Sequence, residues 1–206
     1  MKVFSDFNFT IDKKRVFNYI DCYEGRRIYK TISKMYEDFY EKLPSLITPK
    51  GFYNFVNNDD SKVPSHTLYC VITLGEKISE AIGEKYDDGE YIETLLLDAM
   101  ADMVLFEYSN QFYKHLKKEA SKMNLGLSSR NSPGERGIPM EYAEEILNKL
   151  AMPQEYNISL TSGFMVRPNK SMIYSYKCDT SYTSSKRDHD CSKCSNENCK
   201  MRSVKI

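Results

Sequence analysis

The sequence contains no tryptophan, three histidines, and no apolar run near the ~20 residues that span a bilayer. Without tryptophan, the large apolar surface falls to 16 Tyr and 10 Phe. Tyrosine adds a hydroxyl to each ring, which suits walls that touch polar ligands. With so few histidines, no Ser/His/Asp or Cys/His arrangement is evident, and His66, His115 and His189 sit in no catalytic context. Excess charge is missing too: 29 basic residues balance 29 acidic ones. There is therefore no global case for nucleic acid, which demands a basic face. The opening Met1-Lys2-Val3-Phe4-Ser5-Asp6 has a lysine but no apolar h-region, so no secretory signal is expected. A cytoplasmic protein with no membrane association is the expectation. Internal repeats, a GxGxxG fingerprint and a phosphate loop are all absent.

What is present suits one substantial core. The chain has 206 residues, of which 41% are hydrophobic and 28% charged. Phe7 to Thr10 reads as a short strand, and Thr10 or Asp12 as the cap of a helix through about Ile20. Ile28, Ile32, Met35, Tyr36, Phe39 and Leu43 recur at helical spacing, and Pro44 is expected to end that helix. Strands are expected over 51–56 and 66–73, the second β-branched and central, with a turn at 57–61 and a helix from Gly75 to about Ile82. A long helix follows from about Tyr91 to Met123, its first half apolar on most faces. Residues 125–133 read as extended, 141–150 as an amphipathic helix, and 156–161 and 171–177 as two strands. Strands and helices mix without βαβ alternation, which favours α+β. Residues 1–177 are expected to form that domain. Residues 178–206 form a polar cysteine-containing tail with too little apolar surface to fold alone.

Six cysteines in a cytoplasmic chain read as thiols or ligands rather than disulfides. Cys191, Cys194 and Cys199 follow a C-x2-C-x4-C pattern, with Cys178 upstream. A two-residue spacing lets one turn present two thiolates. Four thiolates complete a tetrahedral Zn site or the corners of an iron–sulfur cluster, and His189 and Asp190 are alternative zinc ligands. The plain alternative is a set of free thiols on an exposed tail. Cys70, in an apolar strand, reads as core.

Arg130-Asn131-Ser132-Pro133-Gly134 joins an arginine to a Pro-Gly turn. The planar guanidinium matches a carboxylate, and free turn amides can read a base edge. The same pattern also describes a surface turn with a solvated arginine. Thr161, Ser162, Ser171 and Tyr174 would add hydroxyls near this loop if the strands at 156–161 and 171–177 pair.

The order of these segments carries more than any one of them. Asp98-Ala99-Met100-Ala101-Asp102 lies on the long helix, followed by Arg130-x-x-Pro133-Gly134, Leu160-Thr161-x-x-Phe164-x-x-x-Pro168 and Ser171. That order resembles the activation (reactivation) domain of vitamin B12-dependent methionine synthase, and more closely its stand-alone form in anaerobic bacteria. The resemblance spans residues 5–177. It implies a bent antiparallel β-sheet packed by helices, binding S-adenosylmethionine in a shallow groove. It implies an accessory role: supporting reductive methylation of cob(II)alamin held by a partner, either the cobalamin-binding domain of methionine synthase or another corrinoid protein. An electron donor such as flavodoxin or ferredoxin would serve it. Arg130 matches the family arginine that contacts the ligand, with Ser132 and Pro133 in the same loop and Tyr174 or Tyr176 where a family tyrosine approaches.

Two positions depart from the family. Its loop is Arg-x-x-x-Gly-Tyr, and here Glu135 replaces the tyrosine. Its long helix carries a glutamate where this chain has Phe106, with Glu107 beside it. Each departure is expected to weaken ligand binding, although Glu135 offers a carboxylate from another direction. Two other roles compete: an iron–sulfur redox module built on the tail cysteines, and a non-enzymatic adaptor that docks on a corrinoid protein.

Overall fold

The computed structural model describes residues 1–58 and 64–186, together with Asp188 and Cys199. A five-stranded antiparallel sheet forms the centre. Its strands are β1 (Lys2–Phe4), β2 (Lys50–Asn57), β3 (His66–Thr73), β4 (Gly126–Leu127) and β7 (Ser171–Asp179), in the order β1-β2-β3-β7-β4. Alternation along the strands divides the side chains between two cores. Leu68, Cys70, Ile72, Tyr174, Tyr176 and Cys178 face one way; Tyr69, Val71 and Ile173 face the other.

The first face is covered by four helices: α1 (Lys13–Tyr19), α2 (Tyr29–Leu46), α3 (Lys77–Asp87) and α4 (Tyr91–Lys122). The first half of α4 is buried on most sides through Leu96, Leu97, Ala99, Met100, Ala101, Met103, Val104 and Leu105, as its all-round apolar sequence demands. The opposite face carries α5 (Tyr142–Leu150) and a small hairpin of β5 (Ser159–Leu160) and β6 (Val166–Arg167). This is the α+β architecture expected from the element order. Among the described residues, no helix is long and apolar enough to cross a membrane.

Three local expectations are corrected. Phe7 to Thr10 forms no strand, because the Gln111 side chain on α4 takes the place of a neighbouring strand. Its carbonyl accepts from the Asn8 amide at 2.9 Å, and its amide donates to the Asn8 carbonyl at 2.9 Å. Asp12, in contrast, caps α1 as expected, accepting from the amides of Lys14 and Arg15. Pro44 does not end α2. The helix continues to Leu46, held by burial of Leu43 and Ile47 on either side of the proline. Tertiary packing there outweighs the local penalty. The segments 156–161 and 171–177 do not pair: β7 is taken on its two edges by β3 and β4, and β5 closes on β6. Part of the turn expected at 57–61 lies outside the described residues.

The boundary expected at 177 falls inside β7, which runs through Cys178 to Asp179. Beyond it the polar segment lies against the domain. The Leu127 amide donates to the Ser184 hydroxyl at 2.9 Å, and Lys117 donates to the Ser185 carbonyl at 2.9 Å. Gly126 is required for this: the carbonyl of Tyr182 fills the space a Cβ would occupy.

Candidate functional site

After Leu127 the chain continues along the free edge of β7. The Ser128 amide donates to the Lys177 carbonyl at 2.9 Å, and Asn131 and Ser175 exchange two backbone hydrogen bonds of 2.9 Å. Three steps from 128 to 131 thus oppose two steps from 177 to 175. The extra residue makes a bulge, the device by which a strand re-aims one side chain. Arg130 sits in that bulge and turns inward, over the face of Tyr174, with its guanidinium carbon 5.2 Å from the ring centroid. Its side chain is 10% exposed. The solvated-arginine alternative is therefore overturned.

Opposite Arg130 stands α4. Ser109 follows Phe106 by three residues and Tyr113 by minus four, so all three line one face of the helix. Between helix and sheet lies the carboxylate of Asp188, whose side chain is 3% exposed. It accepts from Arg130 Nη1 at 3.0 Å, from the Ser109 hydroxyl and from the Tyr176 hydroxyl. Tyr176 packs at 5.6 Å from both Tyr113 and Tyr174. Burial is the largest influence on Arg130 and opposes its charge; the surrounding groups, Asp188 foremost and Glu135 among them, together outweigh it, and the guanidinium stays protonated. Burial, then Asp188, pushes the phenols of Tyr174 and Tyr176 well above the usual range, so both remain neutral donors.

Downstream of Arg130, the chain folds tightly through Ser132 and Pro133. Glu135 donates its amide to the Ser132 carbonyl at 3.2 Å, and Ile138 donates to the Glu135 carbonyl at 2.9 Å. Gly134 at φ 78° sets this turn. Ser132, Pro133 and Glu135 are half-buried, and the Glu135 charge reaches Arg130. Of the residues expected at a ligand site, the fold thus gathers Arg130, Ser132, Pro133, Glu135, Tyr174 and Tyr176 around one end of β7. It does not bring Thr161, Ser162 or Ser171 there. The Thr161 hydroxyl accepts from the Met165 amide at 3.1 Å, within the β5–β6 hairpin, and Ser171 donates to Thr73 at 2.7 Å.

Two buried charged residues, one in the site and one outside it, are not legible in the sequence. Asp188 lies in a polar tail where nothing distinguishes it from its neighbours. Lys170, 8% exposed, bonds Asp98 and Asp102 at 2.7 Å each and ties the start of β7 to α4. Ser109 was in principle findable, three residues beyond Phe106 on the site-facing side of α4.

The cysteines separate. Cys178 is a core residue on β7, its thiol 3.6 Å from the Tyr176 carbonyl, and burial pushes the thiol up to about 12. That opposes the thiolate a metal needs. Cys199 is half-buried and lies within electrostatic range of Tyr19 on α1. Cys191, Cys194, His189 and Asp190 lie outside the described residues. Among the described residues, no group of three or more His, Cys, Asp or Glu is placed to hold a metal.

A scan of the sequence against known protein families finds no match. No curated protein matches it either. The fold does have solved counterparts. It is similar to the crystal structure of the MetH reactivation domain bound to AdoHcy, with a TM-score of 0.57 and 12% sequence identity, covering 85% of this chain and 72% of that one. At that identity the likeness is one of fold.

Proposed function

We propose that the chain binds S-adenosylmethionine and its product S-adenosylhomocysteine at the Arg130 end of β7, and presents the methyl donor to a corrinoid held by a partner protein. The observation that carries this reading is the inward-bulged Arg130, buried and charged beside the 132–138 turn, in a fold shared with a reactivation domain bound to AdoHcy. The charged groups present suit an amino-acid end: the guanidinium can donate to the α-carboxylate, and the Glu135 carboxylate close by can accept from the α-amino group. The turn at 132–138 offers backbone polar groups to the nucleoside.

The methyl donor supplies an electrophilic methyl group on its sulfonium; a one-electron donor of the flavodoxin or ferredoxin class and the partner's corrinoid supply the rest of the remethylation. This chain's part is to hold the sulfonium in a fixed direction and to keep water from it. Alone it should turn nothing over. The natural partner is the cobalamin-binding domain of a methionine synthase, in keeping with a stand-alone member of that family in anaerobic bacteria. An iron–sulfur cluster gains no support from Cys178, whose thiol is a core group, and no step is assigned to one.

Calorimetric titration with S-adenosylhomocysteine, with and without a cobalamin-loaded partner domain, tests the proposal. Saturable binding in the wild type, lost in Arg130→Ala, is expected. Ligand-independent docking on the cobalamin domain, with no heat from S-adenosylhomocysteine in any variant, would select the adaptor role instead.

A further inference from the structure

Arg130, Ser109 and Tyr176 converge on one carboxylate, and that carboxylate belongs to the chain itself. The segment that brings it in is held lightly. Thr183, Ser184, Ser185 and Lys186 have no apolar side chain to bury, and Thr183, Ser185 and Lys186 are exposed. Their contacts include polar ones: Ser184 with the Leu127 amide, the Ser185 carbonyl with Lys117 at 2.9 Å and the Tyr113 hydroxyl at 3.2 Å, and the Ser185 hydroxyl with that of Tyr113 at 3.0 Å, while Tyr182 ahead of them is half-buried. Water can replace each of these polar contacts. Arg130, in contrast, is fixed by its bulge and by Tyr174, and its charge requires an anion wherever the segment goes.

A further donor lies unused nearby. The Tyr174 hydroxyl is fully buried and makes no hydrogen bond of good geometry; the Ser109 hydroxyl, near enough to interact with it, donates to Asp188. The pocket thus holds more donor capacity than a single aspartate uses, as expected where a side-chain carboxylate stands in for a different occupant.

We infer that Asp188 is an internal occupant of the chain's own carboxylate subsite, and that a ligand carboxylate must displace it, together with residues 182–186, to reach Arg130. Identifying that ligand with the amino-acid end of S-adenosylhomocysteine rests on the function proposed above; the internal occupancy does not. Ligand affinity is then reduced by the fraction of molecules in which the subsite is already filled.

The test uses the full chain as wild type, Asp188→Ala and Asp188→Asn. Removing the side chain opens a space of carboxylate shape, so sodium acetate should raise the melting temperature of Asp188→Ala above its value in sodium chloride of equal ionic strength. The wild type should show no such difference. S-adenosylhomocysteine should bind Asp188→Ala about tenfold or more tighter than the wild type. Equal acetate effects on both proteins would overturn the inference. So would equal S-adenosylhomocysteine affinities alongside a selective acetate effect. Selective acetate stabilisation with no S-adenosylhomocysteine binding by either protein would sink the proposed function and leave the internal occupancy standing. If Asp188→Ala fails to fold, hydrogen exchange over residues 180–186 decides with Asp188→Asn, which keeps the shape and loses the charge. Faster exchange than wild type is expected, and unchanged exchange overturns the inference.

Discussion

Arg130 Nη1 and a carboxylate oxygen of Asp188 meet at 3.0 Å across 58 positions of sequence, and both side chains are nearly closed to solvent. Pairs of this kind are costly to assemble and more costly to break on one side, since the remaining charge stays desolvated. Arg130→Met and Asp188→Asn should each destabilise the protein. The double variant should lose less than the sum, with a coupling of about 1–3 kcal/mol. Urea unfolding of the four proteins measures it. Additive losses would mean that the pair is not made in solution.

Two glycines make a contrasting pair. At Gly51 a Cβ would meet ring carbons of Phe112 at 2.7–2.9 Å, inside the core. At Gly126 it would meet the backbone of Tyr182, in the polar segment that leads to Asp188. Gly51→Ala should therefore lower global stability by about 1–3 kcal/mol, the usual cost of overpacking. Gly126→Ala should instead detach the segment. Hydrogen exchange over residues 180–186 should accelerate, while the chemical unfolding midpoint falls no further than it does in Asp188→Asn. A midpoint shift in Gly126→Ala well beyond that of Asp188→Asn would show that the segment is integral to the fold.

The sequence announced the parts of this fold whose burial is periodic. The spacing of Ile32, Tyr36, Phe39 and Leu43 located α2, and the apolar run at Leu95 to Val104 located α4. Asp12 was readable because capping is local chemistry. Pairing was not readable. Whether β7 meets β5 or β3 depends on which edges are free, and no local pattern records that. Arg130 was found through the order of motifs, yet its inward aim depends on a bulge against Ser175 that no single segment encodes. Asp188 was illegible for the opposite reason: its partners lie on α4, on β7 and in the bulge after β4, and its own neighbourhood is uniformly polar.

His115 predicts a pH dependence. Its Nε2 lies 3.0 Å from the Tyr53 hydroxyl, and its ring stacks on Phe4 with centroids 4.5 Å apart. Burial lowers its pKa from 6.5, Glu119 works the other way, and Lys122, Lys118 and Lys2 add to the lowering. The folded state therefore holds this proton less tightly than the unfolded chain does. Its stabilising effect is complete above pH 6.5 and is lost as the pH falls below that value. Glu119, held at about 2 chiefly by its hydrogen bonds with Lys122 and Lys2, begins to lose stability only below its ordinary value of 4.5. Melting temperatures should begin to fall as the pH drops below 6.5, and fall again below 4.5. His115→Gln should flatten the first fall and leave the second. A first fall that survives this substitution would assign it to another group.

Glu135 follows Gly134 in the tight turn after Arg130, and its charge is felt at Arg130. An α-amino group and an α-carboxylate share one carbon, so a carboxylate near the guanidinium is well placed to receive the amine. Glu135→Gln should therefore weaken S-adenosylhomocysteine binding, by about 10- to 100-fold if one charge-assisted hydrogen bond is lost. Arg130→Ala should do at least as much. 5′-Methylthioadenosine has the nucleoside and the sulfur but neither the amine nor the carboxylate. Its affinity should be unchanged by Glu135→Gln, which keeps the turn's shape. Equal losses for both ligands would mean that Glu135 shapes the 132–138 turn rather than reading the amino-acid end. A gain in S-adenosylhomocysteine affinity would mean that its charge competes with the ligand for Arg130, as that of Asp188 does.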